Sequence, residues 1–298
     1  MNRVIIFGRI DYKNKRSVNF ARNEYIRHNE TKAKGDLIFR PEVFFGEEPD
    51  AELDFLHIEF KRKIHEAADK TLQHSLNALE VLMQFAIAGR VDVFVLAAGE
   101  LPQQRTLTVR NDKSTVHALA AGLEAIEEAR YADAIPPLTD AISSYKQHAW
   151  ALDARSTCHY ELGDLEAAEA DAKAARAIYP ALPNPHLTLA RIADQRGERA
   201  KAIDGCKRAM DGSIPHQPGY WICALFQAKV LLDLLESGGG STTERKSYLN
   251  VVRSNLDRYD SKLRQLGNAR GPHYPTPAEL AGLRERYESV AASVRVEA

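Results

Sequence analysis

Small and apolar residues return every 34 positions through the middle of this chain: Ala134, Ala168 and Ala202 share one register, as do Ala141, Ala175 and Ala209. The same register aligns Gly122, Ser156 and Ala190 near the middle of a first helix, and Ala129, Gly163 and Gly197 where that helix should end. A period of this length marks stacked helix pairs, each of which buries its apolar face only against its neighbours. The pattern predicts helix, tight turn and helix three times between about Thr115 and Ile214. In the second pair, Ala168, Ala172 and Ala175 are four and three residues apart, so they share a face on which two helices can approach closely. Gly163 suits the left-handed backbone that ends a helix, and Pro180 stops the helix after it.

Two prolines interrupt the pattern. An interior proline removes a helical hydrogen bond and crowds the preceding turn, so Pro136 and Pro137 predict a helix that begins late, around Asp133, or is kinked there. Tyr220 to Glu236 reads as an apolar helix in phase with a fourth repeat, ended by Ser237 to Gly240. Ser241 with Glu244, and Thr276 with Glu279, form capping-box patterns at the starts of two further helices, the first running to about Leu266. These C-terminal helices are the natural closure of the array's core.

Residues 1–110 lack the period and read as mixed α and β. Val4–Phe7, Leu37–Phe39, Leu56–Phe60 and Val91–Ala97 are short apolar runs compatible with strands. Between the last two, apolar positions from Ile64 through Leu72, Leu76 and Leu79 to Met83 recur at three- and four-residue intervals and predict a long amphipathic helix. The expected organisation is an α+β module over 1–110, helical repeats over 111–236 and capping helices over 237–298.

The second repeat carries the clearest signature: Glu161-Leu162-Gly163-Asp164 at the turn, alanines at 168 and 175, and Pro180 at the end. With the joint register of the three repeats, this resembles the tetratricopeptide repeat over about one third of the chain. The resemblance implies a mainly α fold, a helical-repeat superhelix with capping helices preceded by the small α+β module. It also implies a peptide-binding groove lined by the first helix of each pair. Carried onto this sequence, that groove is Val116, Leu119, Leu123 and Ile126 in the first repeat, Trp150, Asp153, Thr157 and Tyr160 in the second, and Asn184, Leu187, Arg191 and Asp194 in the third. Such a surface suits an amphipathic helix or extended peptide held by aromatic and aliphatic anchors. The family's basic clamp for a chaperone's C-terminal carboxylate needs Lys and Asn where this chain has Leu119, Leu123, Ala154, Asn184 and Thr188, so that use is not expected. The apolar lining of the first repeat is equally compatible with a cover supplied by the N-terminal module.

Charge adds little overall: 40 Lys and Arg balance 41 Asp and Glu, which argues against a dedicated nucleic-acid binder. Locally, residues 1–35 hold nine basic against three acidic residues, whereas 42–59 hold seven acids and no Lys or Arg. The basic positions Arg3, Arg9, Lys13, Lys15, Arg16, Arg22 and Arg27 interleave with Phe7, Tyr12, Phe20 and Tyr25, a mixture that can hold phosphates and stack bases but also fits an ordinary helix beside a strand. Cys158, Cys206 and Cys223 lack metal spacing and fall at helix positions where small apolar residues pack, which predicts buried free thiols. His65-Glu66 opens like a zincin motif, but Asp69 stands where the second histidine belongs, so no metal is expected and His65 with Asp69 reads as a surface pair. Gly8 lacks a phosphate-loop context and no nucleophile elbow occurs, so no cofactor is expected. With no apolar run of membrane length and no signal-like N-terminus, the expected location is the cytoplasm.

The leading expectation is a non-enzymatic scaffold or adaptor that binds a protein or peptide in the repeat groove. The alternative is an effector whose N-terminal module has an unrecognised catalytic or nucleic-acid-binding activity, with the repeats as sensor. Self-association through the apolar C-terminal helices is a third expectation.

Overall fold

The structure is a computed structural model that describes residues 2–33, 37–45, 53–64, 69–97, 100–111, 113–267 and 273–296. The chain divides into two compact units, Met1–Ala151 and Leu152–Ala298.

The first unit begins with a four-stranded antiparallel sheet in the order β2-β1-β3-β4. Its strands are β1 (Asn2–Asp11), β2 (Phe55–Ile64), β3 (Ala88–Ala97) and β4 (Glu100–Thr108), and its main helices are α1 (Lys15–His28) and α3 (Asp69–Gln84), with a short α2 (Pro41–Phe45). Because strand side chains alternate, Val4, Ile6 and Ile10 of β1, Leu56 and Ile58 of β2, and Val91, Val93 and Val95 of β3 form one apolar face. Val18, Ala21 and Tyr25 of α1 and Leu72, Leu76, Leu79 and Leu82 of α3 join them in one core.

Several expectations change here. Leu37–Phe39 is not a strand but an irregular plug: Phe39 is fully buried, its carbonyl accepts the Tyr25 hydroxyl, and the Ile38 amide donates to Ser75 Oγ at 2.9 Å. Side-chain partners replace the missing ladder, which no apolar pattern reveals. Ile64 ends β2, and α3 starts at Asp69 rather than at Ile64. The sequence Glu100–Thr108 shows no apolar alternation, yet it forms β4 because pairing with β3 satisfies its backbone at the sheet edge.

The first helix pair belongs to this unit as α4 (Ser114–Glu127) and α5 (Tyr131–Ser144). It is tied to the module through carbonyls at the end of α3. Asn111 Nδ2 donates to Ala86 O at 3.0 Å, Lys113 Nζ to Phe85 O at 3.2 Å and also to Ala86 O, and Thr115 Oγ1 to Ile87 O at 3.2 Å. A cation at a helix C-terminus complements the unpaired carbonyls there. Helix α5 begins at Tyr131, not late, and continues through Pro136 and Pro137 to Ser144. The packing of Ala134, Leu138 and Ala141, all fully buried, outweighs the lost backbone bonds.

The second unit contains α6 (Ala149–Glu161, which starts just before the unit boundary), α7 (Leu165–Ile178), α8 (Pro183–Gln195), α9 (Arg199–Asp211) and α10 (Pro218–Glu236). The contacts are those the register requires: Ala168, Ala172, Ala175, Ala202 and Ala209 are fully buried, and Ser156 Oγ donates to Ala168 O at 3.0 Å. Gly163 and Gly197 end their helices at φ +84° and +74°. The Ser241–Glu244 capping box starts α11 (Thr242–Leu266), and Thr276 and Glu279 bond reciprocally at the start of α12 (Pro277–Val296). Leu249, Val252 and Leu256 of α11 and Leu280, Val290 and Val294 of α12 bury against Trp221, Leu225 and Leu232 of α10, closing the core.

Candidate peptide-binding groove

In the first unit, Leu119, Leu123 and Ile126 follow at four and three residues along α4 and form one apolar stripe. Leu123 is 42% exposed and its two neighbours are half-buried. Trp150 is half-buried near the start of α6.

In the second unit, side chains of successive first helices meet across one face. Asn184 of α8 donates through Nδ2 to Asp153 Oδ1 at 2.9 Å and to Thr157 Oγ1 at 3.1 Å, both on α6. Gln195 Nε2 donates to the Tyr160 hydroxyl at 2.9 Å. The Arg191 guanidinium lies 5.7 Å from the Tyr160 ring centroid, a cation–π distance, and 3.9 Å from the Glu161 carboxylate. Asp194 accepts from Lys229 Nζ at 3.0 Å. Leu187, expected on the same face, is instead only 5% exposed and packs on Ala209 and Cys223, so it offers nothing to a ligand.

The row extends beyond the predicted set. Lys229 also binds Asp233 at 2.8 Å, and Arg286 of α12 bridges Asp233 at 2.6 Å and Glu236 at 2.7 Å. Burial alone would raise the Asp233 carboxyl, but hydrogen bonds from Lys229 and Arg286 outweigh it and hold the group below its usual value. Lys229 stands one repeat length after Gln195, so the register could have found it. Arg286 lies on a helix outside the repeats, and no spacing points to it. Beneath this face, Arg155 grips Asp171 with two parallel bonds of 2.7 and 2.8 Å, fixing α6 to α7.

Other candidate chemistry falls away from any shared site. Cys158, Cys206 and Cys223 are buried free thiols; burial pushes Cys158 up to about 11, Cys223 up to about 12 and Cys206 upward as well, far from a thiolate at neutral pH. Of the basic and aromatic N-terminal set, Tyr12 and Tyr25 are fully buried, and Arg9 is 5% exposed, paired with Asp11 and stacked 3.8 Å over Phe55. Those residues therefore do not form one exposed stacking surface. His65 lies outside the described residues, as does the side chain of Asp69, while His57 is exposed on β2. Among the described residues no helix is long and apolar enough to cross a membrane.

Helix pairs in a 34-residue register, left-handed glycines at their turns and small residues buried between them decide the architecture. The repeats are tetratricopeptide-like. No family model matches the chain, and no curated protein does. Solved structures to which it is similar include MamA, 17% identical over 50% of this chain and 81% of that one, with a TM-score of 0.42. The thermophilic tetratricopeptide protein TTC0263 of Thermus thermophilus is 16% identical over 60% of this chain and 99% of that one, at 0.37. The first tetratricopeptide domain of Spaghetti (RPAP3), bound to the HSP90 peptide SRMEEVD, is 14% identical over 42% of this chain and 95% of that one, also at 0.37.

Proposed function

We propose that the chain is a non-enzymatic interaction protein, a scaffold or adaptor whose tetratricopeptide-like first helices bind a peptide or helix of a partner protein. The observation that carries this reading is the half-exposed row Asp153, Thr157, Tyr160, Asn184 and Arg191, in which Asn184 bonds Asp153 and Thr157, Gln195 bonds the Tyr160 hydroxyl and Arg191 lies at cation–π distance from the Tyr160 ring. Such a row presents an aromatic ring, a loosely held guanidinium and hydroxyl and amide groups without further ordering cost, which is what peptide recognition by a preformed groove requires. The apolar stripe Leu119, Leu123 and Ile126 is a second surface suited to an amphipathic segment. On this reading residues 1–110 serve as a regulatory or second-contact module. Among the described residues, the basic side chains of the N-terminal module are scattered and the thiols of the repeats are buried, so neither supports the effector alternative.

Selection of peptides from a displayed random library on the intact chain tests the proposal. Selected peptides should bind at least about ten-fold more weakly to the double variant Tyr160→Ala/Arg191→Ala, as expected when an anchor and its cation are lost. Unchanged binding would place the ligand elsewhere and overturn the groove assignment.

A further inference from the structure

Helix α8 has a second face that the groove does not use. At about 100° per residue, Leu189, Ala193 and Arg196 lie across the helix from Asn184, Arg191 and Asp194. There α7 and α9 flank α8 around a cavity of about 470 Å³. Its floor is made by small and aliphatic side chains, Leu189, Ala190, Ala193 and Ala200. Gly205 keeps α9 tight on α8, because a Cβ there would come within 2.9 Å of Ala190 Cβ and 3.0 Å of His186 O.

The rim is cationic. Lys173, Arg176, Arg196, Lys201 and Arg208 line it against Glu169, Glu198 and Asp204. Glu169 is shared between Lys173 and Arg196 at 2.6 Å each, and Arg196 also lies 3.8 Å from Glu166. Lys201 and Arg208 each have one acidic partner, Glu198 at 2.9 Å and Asp204 at 2.8 Å. Arg176 is exposed and has no ion pair among the described residues. Arg176 and Arg208 face the same end of the cavity, where His186 lies with a ring nitrogen 2.8 Å from Pro180 O. Burial holds the His186 imidazole below its usual pKa against the hydrogen bond to the Pro180 carbonyl, with smaller contributions from Arg176 and Arg208 in the same direction and from Asp204 against it. That end therefore holds two guanidinium groups, one carboxylate and a buried imidazole.

We propose that this cavity docks a short acidic segment of a partner protein, its carboxylates set against Arg176 and Arg208 and one aliphatic side chain resting on Leu189 and Ala193. The surplus of planar guanidinium donors matches carboxylates, and the apolar floor matches a neighbouring aliphatic group. No Phe, Tyr or Trp lines the cavity and the His186 ring is itself buried, so the cavity lacks the stacking surface with which proteins hold single-stranded nucleic acid. The volume takes a few residues of peptide, consistent with a short linear segment. The site is independent of the groove and does not require it to be occupied.

The test uses the full chain and a fluorescein-labelled hexapeptide, Glu-Asp-Leu-Glu-Asp-Glu, followed by fluorescence anisotropy. Saturable binding is expected that weakens with salt and drops at least about ten-fold in Arg176→Glu, an exposed position whose change breaks no ion pair. Arg191→Ala should leave this binding unchanged, which separates the cavity from the groove. A second variant, Leu189→Glu, places charge at a half-buried position of the lining and should also weaken binding at least about ten-fold, with circular dichroism verifying the helical content of both variants. No binding at about 1 mM peptide, equal binding to Arg176→Glu, or displacement by inorganic phosphate or single-stranded DNA at concentrations below those of the unlabelled peptide would each overturn the proposal.

Discussion

Ala129 holds at φ +56° the backbone position that Gly163 holds at φ +84° one repeat later. In each, the residue ends a first helix and its amide donates back to the carbonyl three residues before it, Ile126 at 2.9 Å and Tyr160 at 3.0 Å. Left-handed backbone costs an L-residue about 1–2 kcal/mol, and glycine escapes that cost while losing more freedom on folding. Ala129→Gly should therefore stabilise the protein by roughly 0.5–1 kcal/mol, and Gly163→Ala should destabilise it by about 1 kcal/mol. Urea denaturation of the two variants, read as midpoint shifts of opposite sign, checks both.

Gly122 packs under Leu138. A Cβ added at Gly122 would stand 2.5 Å from Leu138 Cγ, closer than packing allows. Gly122→Ala should cost about 1–3 kcal/mol by overpacking, and less when introduced into a Leu138→Ala background, where the clashing side chain is gone. A double-mutant cycle measures the coupling, and strictly additive effects would show that the two residues do not share the space.

Acid should destabilise the first unit through His148, which is 1% exposed and whose Nδ1 accepts from the Ala151 amide at 3.3 Å. Burial pulls its pKa down to about 4 from 6.5. The unfolded chain therefore binds a proton that the folded chain refuses, so stability present above pH 6.5 is lost as pH falls toward 4. The loss is on the order of 3 kcal/mol across that window. Asp11 acts with the opposite sign: burial lifts it to about 6, against the pull of Arg9, so its contribution falls as pH rises through the window from about 4 to 6. His148→Gln should flatten the acid side of the stability curve and leave the Asp11 slope visible, as measured by denaturation at steps between about pH 4 and 7.

Thiol chemistry should be silent in the native state. With Cys158, Cys206 and Cys223 all buried and their pKa values raised by burial, a thiol reagent at about pH 8 should react slowly until denaturant is added, then with all three. Rapid native-state labelling of any one would show that its helix pair opens.

The periodic part of this protein was legible because a repeat buries its core against neighbours at fixed sequence separation. Ala168, Ala175, Ala202 and Ala209, the turn glycines and the two capping boxes are local or register-bound, and all stand where the pattern places them. In the N-terminal module only the elements whose apolar residues alternate or recur are legible in the sequence: β1, β2, β3 and the body of α3 follow that pattern, while polar β4 and the buried Leu37–Phe39 plug do not. The start of α5 at Tyr131 despite two prolines was settled by packing, which exceeds a local propensity penalty. The candidate groove divides the same way. Sequence register determined which helices present Asp153, Tyr160, Asn184 and Arg191. Tertiary structure alone decided that Leu187 turns inward, that Arg286 joins the row from outside the repeats, and that a cationic cavity opens behind α8, because each depends on contacts between residues whose separation no period encodes.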